Sequence, residues 1–258
     1  MNAVHAHIPY PRVGDYLPYL KKHRLDLEIY FPASSLDELR PEDIGVLKGN
    51  LDYNPSVSLH APFMDMSPGA VDSKVRDVTA QRFSHVMDIA EVLSPKAVVF
   101  HSGYEKWKYG HRPDIWLEGS LRTWKPLIER ADRLNVKIAI ENIFEDEPSN
   151  LRLLMEELHS RSFGICFDTG HCNLFTTVPL RRWLDELKPY IFELHLHDND
   201  KTADQHLPIG DGSFDFKGLF SALRDADCLC TIEAHSPEGV MKSIERLKGH
   251  FTKVRSGS

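Results

Sequence analysis

The 258-residue sequence has no apolar run near the roughly 20 residues that cross a bilayer, so no membrane partner is expected. It has four cysteines, Cys166, Cys172, Cys228 and Cys230, and no CxxC pair, which excludes zinc ribbons and dithiol redox motifs. Core packing in a reduced protein accounts for all four, since free cysteine is among the most buried residue types. Positive charge is also short. Lys and Arg number 31 against 38 Asp and Glu, and the net charge of −7 offers polyanions no general attraction. A nucleic-acid partner would then depend on a local basic patch or on bound metal. There is no internal repeat or low-complexity tract, and no basic segment followed by an apolar one at the start. A cytoplasmic location is the expectation.

What is present is a set of short apolar runs, each closed by a polar residue. SVSLHAP ends on His60, KAVVFHSG on His101 and KIAIEN on Glu141. FGICFDTGH closes with Asp168 and His171, IFELHLHDND carries His195, His197 and Asp198, and LCTIEAH carries Glu233 and His235. Such runs, bounded by turn formers, read as strands buried on both faces. AVHAHI and LDLEIYF supply two more, bringing the count to eight.

Helical patterns alternate with these strands. Val75, Val78, Phe83, Val86, Ile89 and Val92 recur at helical spacing after the third strand. Leu117, Leu121, Trp124, Leu127, Ile128 and Ala131 share a face after the fourth, and Ser149 or Asn150 is the expected N-cap of the helix after the fifth. Strict βα alternation predicts a parallel sheet with right-handed crossovers. The expected fold is α/β, a single-domain (β/α)8 barrel of the TIM type over residues 1–254, with 255–258 as a disordered tail. In that architecture the active site lies at the C-terminal ends of the strands, where the polar residues fall.

The chemistry follows from residue type. Imidazoles and carboxylates together suit zinc or manganese, whereas an all-oxygen set favours magnesium or calcium. Glu141 and Glu233 lie inside apolar runs, where an unpaired carboxylate is costly. Asp168 and His171 come from one tight turn, DTGH. Asp204 and His206, one residue apart in the DQH loop, point to one side of an extended backbone. His197, Asp198 and His235 are candidates to orient ligands or contact substrate. Lys106, Tyr109 and Arg112 flank Trp107 in the long loop after the fourth strand, the one basic and aromatic cluster near the site. His5 and His7 remain unassigned.

The series His60, His101, Glu141 in IEN, Asp168 and His171 in DTGH, His195 in HLHD, Asp204 and His206 in DQHLPIGDG, and Glu233 in IEAH resembles the xylose isomerase-like barrel superfamily. Within it, the chain from about residue 56 to 236 is most similar to the apurinic-site endonucleases typified by endonuclease IV. The resemblance implies that all nine residues hold a cluster of two or three metal ions, zinc by preference or manganese, with Glu141 bridging and Glu141 and Glu233 catalytic. It implies phosphoester hydrolysis, on a phosphorylated sugar, a nucleotide or damaged DNA.

Sugar isomerases and epimerases of the same superfamily are similar at fewer positions, chiefly Glu141, Asp168, His195 and Glu233, which implies one metal and proton transfer beside a carbonyl. Ketose-converting relatives carry an arginine before the PG turn, where this chain has His206. DNA-cleaving relatives carry cationic and aromatic loops after the early strands, whereas FPASSLDEL here is short and acidic. A non-catalytic metal-binding protein is the third alternative.

Overall fold

The computed structural model describes residues 4–255. Eight parallel strands close into one barrel in chain order: β1 Val4–Pro9, β2 Asp26–Tyr30, β3 Val57–His60, β4 Ala97–His101, β5 Lys137–Glu141, β6 Phe163–Asp168, β7 Ile191–Leu196 and β8 Leu229–Ile232. β1 meets β8 with His5 beside Thr231 and Ala6 beside Ile232, which seals the ring. The (β/α)8 barrel expected from βα alternation is the observed fold.

Among the described residues ten α-helices surround the barrel. They are α1 Tyr10–His23, α2 Ala33–Glu38, α3 Pro41–Asn50, α4 Ser73–Leu93, α5 Pro113–Leu134, α6 Ser149–Leu158, α7 Thr169–Phe175, α8 Leu180–Leu187, α9 Phe216–Ala222 and α10 Pro237–Arg255. Of the tail expected at 255–258, Arg255 ends α10 and residues 256–258 lie outside the described residues.

Phe83, Val86 and Ile89 lie on the buried face of α4 together with Met87 and Ala90. Val75, Val78 and Val92, expected on that face, are 45%, 53% and 39% exposed. At about 100° per residue, Val78 and Val92 fall roughly 140–180° from Phe83, and Val75 lies in the first turn. On α5, Trp124 stacks on Phe83 at 5.3 Å and meets Phe100 of β4 at 5.5 Å, all three fully buried. This aromatic contact fastens two helices to the wall that carries His101.

The expected cap of α6 is replaced. Pro148 occupies the N-cap position, while Ser149 donates to Glu147 and the Asn150 amide to Glu145. Both polar side chains are spent on carboxylates of the preceding loop. The loop after β3 lies directly on α5, where a Cβ on Gly119 would stand 2.7 Å from the Gly69 carbonyl oxygen. That close approach seats the segment following His60.

Strand register sets the site. His101 lies beside Glu141, and Asp168 beside His195, at the same rim of the barrel.

Candidate metal centre

Side chains alternate along each strand, so every second residue points into the barrel. On one side the interior floor is apolar, made by Val99, Ala139 and Cys166. On the other it is polar: the His5 ring bonds Ser58 at 2.8 Å, and the Thr231 hydroxyl donates to Glu193 at 2.5 Å. Above this floor the polar strand ends converge.

Glu141 is the first hub. Its Oε2 lies 3.1 Å from His60 Nε2, 3.2 Å from His101 Nε2 and 3.3 Å from His195 Nδ1. Its Oε1 lies 3.0 Å from His171 Nδ1. Glu233 approaches from the opposite side, its Oε1 3.1 Å from His195 Nδ1. Asp168 Oδ2 lies 3.9 Å from that nitrogen. DTGH, expected as a tight turn, forms the start of α7, and Asp168 caps it by accepting the His171 backbone N–H at 2.6 Å.

Asp204 is the second hub. Its Oδ2 stands 3.4 Å from His171 Nε2 and 3.1 Å from His206 Nε2. His206 Nδ1 is 3.5 Å from Glu233 Oε2. The structure thus brings all nine strand-end and loop residues into one continuous cluster.

Tautomers argue that this cluster fits a cation. His60 Nδ1 donates to the Ala61 carbonyl at 2.8 Å, so in the neutral ring Nε2 carries the lone pair that faces Glu141. His195 spends Nε2 on Glu28 at 3.1 Å, which turns the lone pair of Nδ1 toward two carboxylates. Lone pairs facing carboxylate oxygens repel unless a proton or a metal stands between them. His101 Nε2, His195 Nδ1 and His197 Nδ1 are buried without a hydrogen-bond partner among the described residues. Two ligand atoms on one tetrahedral zinc are about 3.4 Å apart, close to the nitrogen–oxygen separations of 3.0 to 3.4 Å at the two hubs.

The electrostatics agree. Burial would raise the Glu141 carboxyl, but His101 and His195 outweigh it and hold it well below the usual range. Burial likewise opposes the ionised Glu233, and His7 and His195 outweigh it. Burial disfavours a charged His195, yet Cys166, Glu28, Glu141 and Glu233 together raise it well above an ordinary imidazole. At His101 burial wins over Glu141, and the ring is held neutral more readily. Protons on such rings are what a divalent ion displaces when it binds.

Of the other sequence candidates, His197 borders the second hub, its Nδ1 3.6 Å from Asp204 Oδ1, and the rest lie apart from both hubs. His197 Nε2 bonds Asp168 Oδ2 at 3.0 Å and its ring stacks on His206 at 4.1 Å, beside the cluster. His235 stacks on the far face of His206 at 4.9 Å. Asp198 is consumed by its own loop, accepting backbone N–H groups of Asn199, Gly210, Gly212 and Phe214. Lys106 pairs with Asp146, Arg112 with Asp114, and Tyr109 packs on Tyr104 at 5.9 Å. That basic cluster is tied within its own loops and does not border the cavity.

Residues that sequence reasoning passed over are Glu28, Tyr30 and Glu193, while His7, left unassigned there, lines the cavity. Glu28 is fully buried and holds both His7 and His195. A signal was present, because Glu28 lies inside an apolar run as Glu141 does. The cavity above the hubs has a volume of about 470 Å³ and is walled by His7, Tyr30, Phe63 and Arg12.

A family model described as the xylose isomerase-like TIM barrel matches residues 27–250. The uncharacterized protein MJ1311 of Methanocaldococcus jannaschii is 28% identical over 225 residues, 83% of this chain and 76% of that protein. The TTHB071 protein from Thermus thermophilus, from a crystal soaked with zinc chloride, is 25% identical with a TM-score of 0.82, covering 98% of this chain and 99% of that one. A D-tagatose 3-epimerase-like protein is 24% identical with a TM-score of 0.83, over 99% of both chains. Endonuclease IV from Thermus thermophilus is 15% identical with a TM-score of 0.66, over 97% of this chain and 99% of that one. The last two likenesses show the fold.

Proposed function

The chain belongs to the xylose isomerase-like TIM-barrel family, and from that premise we propose that it is a divalent-metal-dependent phosphoester hydrolase. Its substrate is a small phosphorylated sugar or nucleotide, and its centre takes two or three zinc or manganese ions. The observation that carries this reading is the second hub. A single ion needs Glu141, Asp168, His195 and Glu233 alone. The Asp204 carboxylate with His171 and His206, and the pair His60 and His101 on Glu141, are surplus to one ion.

His60, His101 and Glu141 would hold one ion, Asp168, His195 and Glu233 with Glu141 a second, and His171, Asp204 and His206 a third. Ions held there would supply water activation and neutralisation of charge on a phosphate oxygen. Glu141 presents Oε2 to three imidazoles and Oε1 to a fourth, which suits it to bridge and to accept a hydrogen bond from the attacking water. The relative whose crystal was soaked with zinc chloride supports zinc.

Several features favour a small substrate over duplex DNA. Lys106 and Arg112 are neutralised by Asp146 and Asp114, and the loop after β2 folds into α2 with Asp37 and Glu38. A cavity of about 470 Å³ lies within the range of pockets for small ligands.

One observation favours a second reading, a sugar or sugar-phosphate isomerase or epimerase. Glu141 and Glu233 flank His195 Nδ1 at 3.3 and 3.1 Å, an arrangement in which one carboxylate takes a proton from a sugar carbon and the other returns it.

Metal content per purified chain, followed by a panel of sugar phosphates, nucleotides, abasic-site duplex and ketoses, separates the readings. Two or more ions with phosphate release is the expected result. One ion, with His60 and His101 unliganded and proton exchange on a ketose without ester cleavage, would establish the second reading instead.

A further inference from the structure

One side of the barrel interior below the hubs is polar, and the ligand set uses none of it. His5, Ser58, Glu193 and Thr231 are fully buried on β1, β3, β7 and β8, whereas barrels of this kind ordinarily fill their interior with branched apolar side chains. Buried polar groups cost stability unless they are hydrogen-bonded, and an apolar filling would avoid that cost.

The bonds of this layer run in one line from the lower end of the barrel to a ligand imidazole. Ser56, half-buried just ahead of β3, is anchored by its backbone N–H on Asp26 Oδ1 at 2.7 Å. Its Oγ lies 3.0 Å from His5 Nε2, and His5 Nδ1 lies 2.8 Å from Ser58 Oγ. Ser58 Oγ is 3.3 Å from both Glu28 Oε2 and Glu193 Oε1. Glu28 Oε1 completes the line, 3.1 Å from His195 Nε2.

The hydrogens along this line have a single consistent direction. The Ser58 hydroxyl has one hydrogen, which points at the two carboxylates, and toward His5 it is left to accept. His5 Nδ1 therefore carries the hydrogen of that bond. Burial holds the His5 imidazole below its ordinary value against the pull of Glu28 and Asp26, and a neutral ring with its hydrogen on Nδ1 has a lone pair on Nε2 to accept from Ser56. Donors thus converge on Glu28 from Ser56, His5 and Ser58 below and from His195 above, and bonds in series polarise one another.

We propose that His5 is a positioning residue for the metal centre, acting from two hydrogen bonds below it. By donating to Ser58 it commits the Ser58 hydrogen to the carboxylates. That bond holds Glu28 Oε2 and leaves Oε1 to His195, whose Nδ1 lone pair is then aimed at the space between Glu141 and Glu233. This role rests on the metal-binding part of the reading above and is independent of the reaction catalysed.

Two substitutions separate positioning from packing. In His5→Asn the amide nitrogen stands near Nδ1 and donates to Ser58, although this variant removes more volume. In His5→Gln the amide reaches the place of Nε2 and leaves Ser58 without its donor. Competition against a chromophoric chelator reads zinc affinity without turnover. H5N should bind zinc as wild type does, and H5Q about fivefold more weakly, the worth of one net hydrogen bond. In a Ser58→Ala background H5Q should cause no further loss, because the line is already broken.

Wild-type zinc affinity in H5Q overturns the positioning role, as does a loss in H5N equal to or larger than that in H5Q, the order that packing alone would give. A further loss from H5Q in the Ser58→Ala background overturns it too. Nitrogen NMR of metal-free wild type with isotope-labelled histidine needs no variant to fold: His5 should carry its hydrogen on Nδ1, and a hydrogen on Nε2 alone or a charged ring overturns the proposal. A wild type that takes up no zinc removes the metal centre and the role of His5 together. Zinc binding with the expected H5N and H5Q order, but no ester cleavage, overturns the hydrolytic reading and supports His5.

Discussion

Glu28 Oε1 lies 3.1 Å from His195 Nε2, beneath the imidazole whose other nitrogen faces Glu141 and Glu233. A buried carboxylate behind a ligand imidazole fixes its tautomer, aims its lone pair and increases its basicity.

Glu28→Gln should therefore weaken metal binding by about 10- to 100-fold while leaving the barrel folded. Competition against a chromophoric chelator measures the change, and circular dichroism checks the fold. Wild-type affinity in the variant would remove Glu28 from the support of the centre.

Glu193 gives a pH-dependent outcome. Burial first, then the neighbouring Glu28 charge, raises its carboxyl from 4.5 to about 8. Between those values the unfolded chain releases the proton while the folded protein keeps it, so stability falls as pH rises through this window. Below the unfolded value the penalty is absent; above about 8 it is complete. In metal-free protein, Glu193→Gln should melt at least about 4 °C higher than wild type at alkaline pH, a gain of ~1–2 kcal/mol for a chain this long. Near pH 4 the two should melt together. A gain of the same size at both pH values would refute the titration argument.

Gly170 tests the packing of the cluster. A Cβ there would stand 2.0 Å from His197 Cε1 and 2.3 Å from its Nδ1. The ring cannot yield freely, because it is fully buried and stacked on His206. Gly170→Ala should cost about 1–3 kcal/mol through overpacking and displace His197 from Asp168. A lower melting temperature together with reduced metal content per chain is the expected result; wild-type values for both would show that the ring can move without consequence.

Legibility varied by residue, for physical reasons. His60, His101, Glu141 and Asp168 were readable because each closes an apolar strand, a local feature. Glu28 and Glu193 sit mid-strand, one layer below, and their importance depends on partners from other strands. Val78 and Val92 matched a helical spacing yet face solvent, because apolar residues on a helix need not all belong to the buried stripe. Asp198 shared its neighbourhood with ligand candidates, but four backbone N–H groups of its own loop claim it.

The sequence by itself determined the eight alternating units and the rim at which polar residues gather, because strand periodicity and strand ends are properties of short segments. Only the tertiary structure decided which of those groups meet. Closing β1 against β8 brings His7 to Glu233, and convergence across the barrel brings His195 to Glu28. Loop packing turned Lys106 and Arg112 to nearby carboxylates, away from the cavity. Such pairings depend on distances through space between residues far apart in the chain, and no local pattern encodes them.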